Sequence, residues 1–145
     1  MKALIQRVKK ASVTIDGILY SEIAQGLLIF VGIEKGDSKD SADKLASKIA
    51  KLRIFEDSDG KMNKSLIDIE GEALVVSQFT LCGDCAKGTR PSFDKSEVPN
   101  IANQMYEYFV LKLKEQGIST CTGKFGAMMD VALINDGPVT FLLEK

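Results

Sequence analysis

Two short segments carry side chains able to act on a small polar substrate. Ser77-Gln78-Phe79-Thr80 closes an apolar run and sets two hydroxyls and an amide within four residues. On a strand, side chains alternate between faces, so Gln78 and Thr80 share one face and Ser77 and Phe79 the other, unless a bulge intervenes. A hydroxyl and an amide at a strand end can orient a substrate; the same residues also serve as plain turn formers. Asn135-Asp136-Gly137-Pro138-Val139-Thr140 lies between two apolar stretches. It reads either as a hairpin turn or as a Gly-Pro peptide in the cis form. A third segment, Lys87-Gly88-Thr89-Arg90-Pro91-Ser92-Phe93, offers the planar donor fork of Arg90 to a phosphate, or is a solvated surface loop.

What is missing narrows the chemistry. The chain has no histidine, which excludes a Ser-His-Asp or Cys-His triad and most zinc hydrolase sites. Of its three cysteines, Cys82 and Cys85 form a C-x-x-C inside a loop-like stretch, CGDCAKGTRP. With only Cys121 besides, four zinc ligands are not available, and these read as free thiols. No metal and no cofactor is expected. A formal net charge of −1 argues against a protein that wraps a long duplex, but leaves room for a site that takes one nucleotide end.

Several elements must position these segments. Lys2 to Val8 and Ser12 to Ile15 read as strands, the latter joined to Leu19–Ile23 by the hairpin signal Asp16-Gly17. Leu27–Ile33 is an apolar strand. Ser38 or Asp40 caps a helix running to about Leu52, with Leu45, Ile49 and Leu52 on its apolar stripe. Arg53 to Glu56 is a short strand before a turn at Asp57–Gly60, and Ala73–Phe79 is a buried one. A second helix starts near Ser96 with Pro99 in its first turn and a stripe of Ile101, Met105, Tyr108 and Leu111 or Lys112, stopping at Gly117. Ser119–Thr122, Asp130–Ile134 and Val139–Leu143 close the chain as strands. Many strands and two helices, with hairpins, predict an α/β domain built on an antiparallel or mixed sheet.

The 145 residues, 45% hydrophobic and 27% charged, suit one globular domain over residues 1–145. No apolar run is long enough to span a membrane. The opening MKALIQRVKK lacks an apolar core followed by a cleavage site, so a cytoplasmic protein is expected.

Five blocks then fall in order: ALIQRVKKASVTIDG, RIFEDSDGKMN, VVSQFTL, GTRPSF and INDGPVTF. Together they resemble the bacterial D-aminoacyl-tRNA deacylase family over essentially the whole chain. The resemblance implies a sheet curled toward a barrel with helices packed outside. It also implies a homodimer with active sites at the interface, and a substrate that is the 3′ end of an aminoacyl-tRNA. By the same resemblance Ser77, Gln78, Phe79 and Thr80 line the catalytic pocket. Gly137-Pro138 is cis and enters the partner subunit's pocket, and Arg7 helps hold it. Phe125, Ala127 and Met129, in KFGAMMDVAL, lie near the pocket for the terminal adenosine.

The chemistry implied is coherent. Main-chain carbonyls at Gly137-Pro138 can accept hydrogen bonds from an α-ammonium group. With ammonium and ester fixed, an L side chain strikes that main chain while a D side chain points to open space. Glycine has no side chain to clash, so glycyl-tRNA is expected to leak through. N–H groups near Phe79 and Thr80 can form an oxyanion hole. Thr80 as nucleophile needs a base that the chain does not offer, so assistance by the ribose 2′-hydroxyl to an attacking water is the favoured route. Lys87 and Arg90 give local help to the tRNA end. The rivals are a DNA-binding protein, a general small-molecule esterase, disfavoured by the lack of a G-x-S-x-G elbow, and a purely structural dimer module.

Overall fold

The computed structural model describes all residues, Met1–Lys145. Eight strands and two helices follow in the order β1 (Lys2–Ile15), β2 (Ile18–Ile23), β3 (Gly26–Gly32), α1 (Lys39–Lys51), β4 (Phe55–Glu56), β5 (Met62–Lys64), β6 (Glu72–Ser77), α2 (Pro99–Glu115), β7 (Ser119–Thr122) and β8 (Asp130–Glu144). Six strands form one mixed sheet in the order β2-β1-β3-β6-β7, with β8 on the other edge of β1. The β3–β6 and β6–β7 pairs are parallel and the rest antiparallel. Ser21 of β2 donates its hydroxyl proton to the Thr122 carbonyl of β7, so the sheet curls nearly back on itself. The sequence expectation of a mixed sheet curled toward a barrel, with two helices outside, describes this arrangement.

The strands divide their side chains between two apolar compartments. Ala3, Ile5, Leu27, Ile29, Ala73 and Val75 face the helices, where Leu45, Ile49, Phe109 and Leu113 cover them. Val8, Ala11, Val13, Leu28, Leu74 and Val76 line the inside of the curl. β3 and β6 are thus buried on both faces, which is why they read as unbroken apolar runs. Each fully buried leucine or isoleucine there contributes about 2 kcal/mol.

β1 is one strand of 14 residues, where the sequence suggested two. Between Gln6 and Lys10 its register against β8 shifts twice. Ala3 and Ile5 face the helices before the shift, and Ala11 and Val13 face the inside after it. A turn at Asp16-Gly17, both at positive φ, returns the chain into β2. Ser38 caps α1 by accepting from the Ser41 N–H, and Lys48 and Lys51 occupy its last turn.

α2 buries a face offset from the one expected, with Met105 and Tyr108 of the expected stripe packed against the core only in part. Its buried residues are Tyr106, Phe109, Val110 and Leu113, while Ile101 and Leu111 are about half exposed. The helix carries apolar residues on more than one side, and periodicity alone could not choose among them.

Candidate active site

The apolar run of β6 ends at Ser77, and the chain then leaves the sheet. Gln78 donates its backbone N–H to the Val31 carbonyl (2.8 Å), and Phe79–Cys82 winds into a single 3-10 turn. The expected strand to Phe79 is therefore two residues shorter, and alternation does not decide which side chains meet. Gln78 and Thr80 come together all the same: Gln78 Nε2 donates to Thr80 Oγ1 at 2.5 Å. Cys82 pins the turn from below, its buried thiol donating to the Ile33 carbonyl. Burial pushes that thiol's pKa up, which keeps it protonated and unreactive.

A cleft of about 720 Å³ opens at this end of the sheet. Its floor is Val31, Val76, Ser77 and Gln78, with Phe79 at the side. Phe93 packs edge-on against Phe79, ring centroids 5.0 Å apart. The far wall is the segment after β7, including Phe125, Ala127 and Met129. Tyr106 supports this wall from within the core. Its hydroxyl donates to the Val75 carbonyl (2.8 Å), its ring sits 5.9 Å from that of Phe125, and desolvation holds its phenol far above the usual range. Six of the residues singled out in the sequence thus share one cleft: Ser77, Gln78, Phe79, Phe125, Ala127 and Met129.

Thr80 does not line the cleft; it is exposed on the turn beside it, and its hydroxyl meets only the Gln78 amide. No carboxylate or amine stands ready to take its proton. Lys87 and Arg90 are exposed and outside the cleft too. The two charged residues that do line it, Lys35 and Glu97, were not singled out from sequence. They arrive because 93–98 runs beside 33–35, through Lys35 N–H to the Lys95 carbonyl (2.9 Å) and Glu97 N–H to the Ile33 carbonyl (3.0 Å). No local motif announces that pairing. No three His, Cys, Asp or Glu side chains are grouped to hold a metal ion.

The second segment forms a separate region. Asn135–Thr140 is not a hairpin turn. β8 runs antiparallel to β1 on both sides of it, with Gln6 opposite Thr140 and Val8 opposite Asn135. One residue of β1, Arg7, therefore spans four of β8, Asp136 to Val139, and the extra main chain stands out as a loop. Gly137-Pro138 is cis, and both residues are exposed. A Cβ on Gly137 would lie 2.6 Å from Val139 Cγ2, so no other residue fits this path unchanged.

Polar bonds hold the loop. The Arg7 side chain is buried, and its Nε donates to the Asp136 carbonyl (2.8 Å) while Nη1 donates to the Ile54 carbonyl (2.6 Å). Asp136 Oδ2 at 3.5 Å and Glu56 Oε1 at 3.7 Å balance its charge. Asn135 closes the base, accepting from the Val139 N–H (2.9 Å) and donating to the Val139 carbonyl (3.1 Å). Arg7, Gly137 and Pro138 are absent from the lining of the cleft.

Comparison with known proteins bears on this geometry. A family model described as D-Tyr-tRNA(Tyr) deacylase matches residues 4–144. The chain is 59% identical over 144 residues to a D-aminoacyl-tRNA deacylase of Geotalea uraniireducens, covering 99% of this chain and 93% of that one. It is 54% identical over 145 residues to one of Exiguobacterium sibiricum, full length in both. Among solved structures, the c-Myc DNA Unwinding Element Binding Protein superposes with a TM-score of 0.94 at 40% identity, over 100% of this chain and 99% of that one. A probable eukaryotic D-amino acid tRNA deacylase shares the fold, with a TM-score of 0.83 at 14% identity over 99% and 98% of the two chains. With the family model spanning nearly its whole length and full-length relatives above half identity, the chain belongs to the D-Tyr-tRNA(Tyr) deacylase family.

Proposed function

We propose that the protein is a D-aminoacyl-tRNA deacylase, hydrolysing the ester between a D-amino acid and the terminal ribose of tRNA to release both. Family membership along the whole chain is the observation that carries this reading. The cleft suits the substrate: an apolar wall at Phe125, Ala127 and Met129 for the terminal adenine, and the polar strand end at Ser77 and Gln78 for the aminoacyl ester. A 3-10 turn starting at Phe79 leaves its first N–H groups without partners inside the turn, free to donate to a developing oxyanion. Thr80 orients Gln78 and is not the nucleophile, since its hydroxyl has no base. Water attacks, assisted by the neighbouring ribose hydroxyl.

Chirality is read by main chain. The exposed Gly137-Pro138 loop stands outside the cleft of its own chain, so its action on substrate requires a second copy. In the proposed homodimer the loop enters the other subunit's cleft, holds the α-ammonium group and leaves no room for an L side chain. Glycyl-tRNA then escapes exclusion. Purified protein should release D-Tyr from D-Tyr-tRNA and leave L-Tyr-tRNA intact; equal rates on both, or none on either, overturn the reading. The likeness to a DNA unwinding element binding protein keeps a second reading in play, duplex DNA binding. The net charge of −1 weighs against it, and titration with duplex DNA at physiological salt tests it.

A further inference from the structure

Away from the site just described, an open cleft of about 960 Å³ runs along the exposed side of α1. Five cations line it: Lys44, Lys48 and Lys51 from the helix, Arg53 from the segment after it, and Lys145 from beyond β8. One acidic side chain, Asp43, lines it as well, and that group accepts the Tyr108 hydroxyl proton. Lys44 is paired with Asp40. Lys48, Lys51, Arg53 and Lys145 have no ion pair, although the chain as a whole has 19 basic and 20 acidic residues. Cations at a helix C-terminus complement its dipole, which accounts for Lys48 and Lys51. It does not account for Arg53 and Lys145, brought to the same concavity from other elements. Like charges in such excess over counter-charge repel one another and raise the local potential for an anion.

We propose that this cleft receives the phosphate backbone of the tRNA stem. The inference rests on the deacylase reading and adds to it where the rest of the substrate lies. Lys44, Lys48 and Lys51 fall at i, i+4 and i+7, one helical stripe about 10 Å long, a line of donors suited to a run of phosphates. The cleft is linked to the loop through the chain and one side chain. Arg53 is followed by Ile54, whose carbonyl takes one Arg7 N–H while the same guanidinium holds Asp136. A tRNA whose 3′ end reaches Gly137-Pro138 can therefore lay its stem over Arg53 and α1.

The test compares the full chain with Lys48→Gln/Lys51→Gln/Arg53→Gln, all exposed positions, by anisotropy of labelled, uncharged tRNA from 50 to 200 mM salt. Removing three phosphate contacts should weaken binding about tenfold or more at the low-salt end and reduce the slope of log affinity against log salt by about two to three. KM for D-aminoacyl-tRNA should rise in step with kcat unchanged. Hydrolysis of a D-aminoacylated 3′-terminal trinucleotide, too short to reach the cleft, should not change. Arginine in place of Lys48 and Lys51 should restore tRNA affinity. Unchanged tRNA affinity and salt slope overturn the proposal. So does equal damage to the trinucleotide reaction, or a loss confined to duplex DNA. If the native chain binds tRNA through these cations yet hydrolyses neither substrate, the activity reading fails and the binding surface stands.

Discussion

The cleft at the end of β6 and the loop at Gly137-Pro138 are built by opposite means. The cleft is a gap in apolar packing: its floor is the end of two strands buried on both faces, and its walls lean on Tyr106 and the core. The loop is packed at one end only: Val139 reaches the core, while Gly137 and Pro138 are exposed. It is excess main chain tied by Arg7 and Asn135 to carbonyl and amide groups. A surface assembled from many weak apolar contacts tolerates the loss of any one of them. A surface tied by two side chains is weakened when either is cut, the more so the stronger the tie.

Arg7→Ala is the strongest way to expose that difference. It leaves the Ile54 and Asp136 carbonyls without their charged donor in a buried place, at a cost of about 3 kcal/mol in chemical unfolding. The ratio of D- to L-aminoacyl-tRNA hydrolysis should collapse toward one in whatever fraction stays folded. Retention of full chiral discrimination would show that the loop does not need its tether. Asn135→Ala removes both bonds to Val139 and should cost about 1–2 kcal/mol, with a smaller loss of discrimination in the same assay. On the cleft side, Tyr106→Phe keeps the ring and removes one hydrogen bond to a carbonyl that also accepts from Gly123. A loss of about 1 kcal/mol or less, with the D-to-L ratio untouched, is expected from thermal unfolding and the paired assay. Thr80→Ala should have the smallest effect on chemistry: turnover persists, and quenched reactions show no acylated protein. Abolished turnover, with an acylated intermediate trapped on Thr80 of the unaltered chain, would make Thr80 the nucleophile and reverse its assignment.

The same division marks what could be read from sequence. The apolar runs of β3 and β6, the Asp16-Gly17 turn and the Ser38 cap announce themselves because local composition and local structure agree. The Ser77–Thr80 block was visible too, but its geometry was not: alternation assumes a strand, and the chain turns off at Gln78 to form a 3-10 turn held by Val31 and Ile33. Lys35 and Glu97 were invisible because sixty-odd residues separate two segments that pair by backbone bonds alone. The buried face of α2 is offset from the expected stripe because the sheet beneath it, not the helix's own period, decides which side is covered. The Asn135–Thr140 segment has the composition of a turn. Only its alignment against β1 shows that the strand resumes in the same direction.

That resumption has a consequence for how the family can vary. The ladder between β1 and β8 continues on both sides of the loop, with Arg7 opposite the insert and a second register shift between Val8 and Lys10. Residues added to or taken from the loop would leave every partner beyond Gln6 and Val8 opposite the same neighbour. The sheet thus acts as a fixed frame around an adjustable insert, and selection can reshape how far the protrusion extends without renegotiating the barrel that displays it.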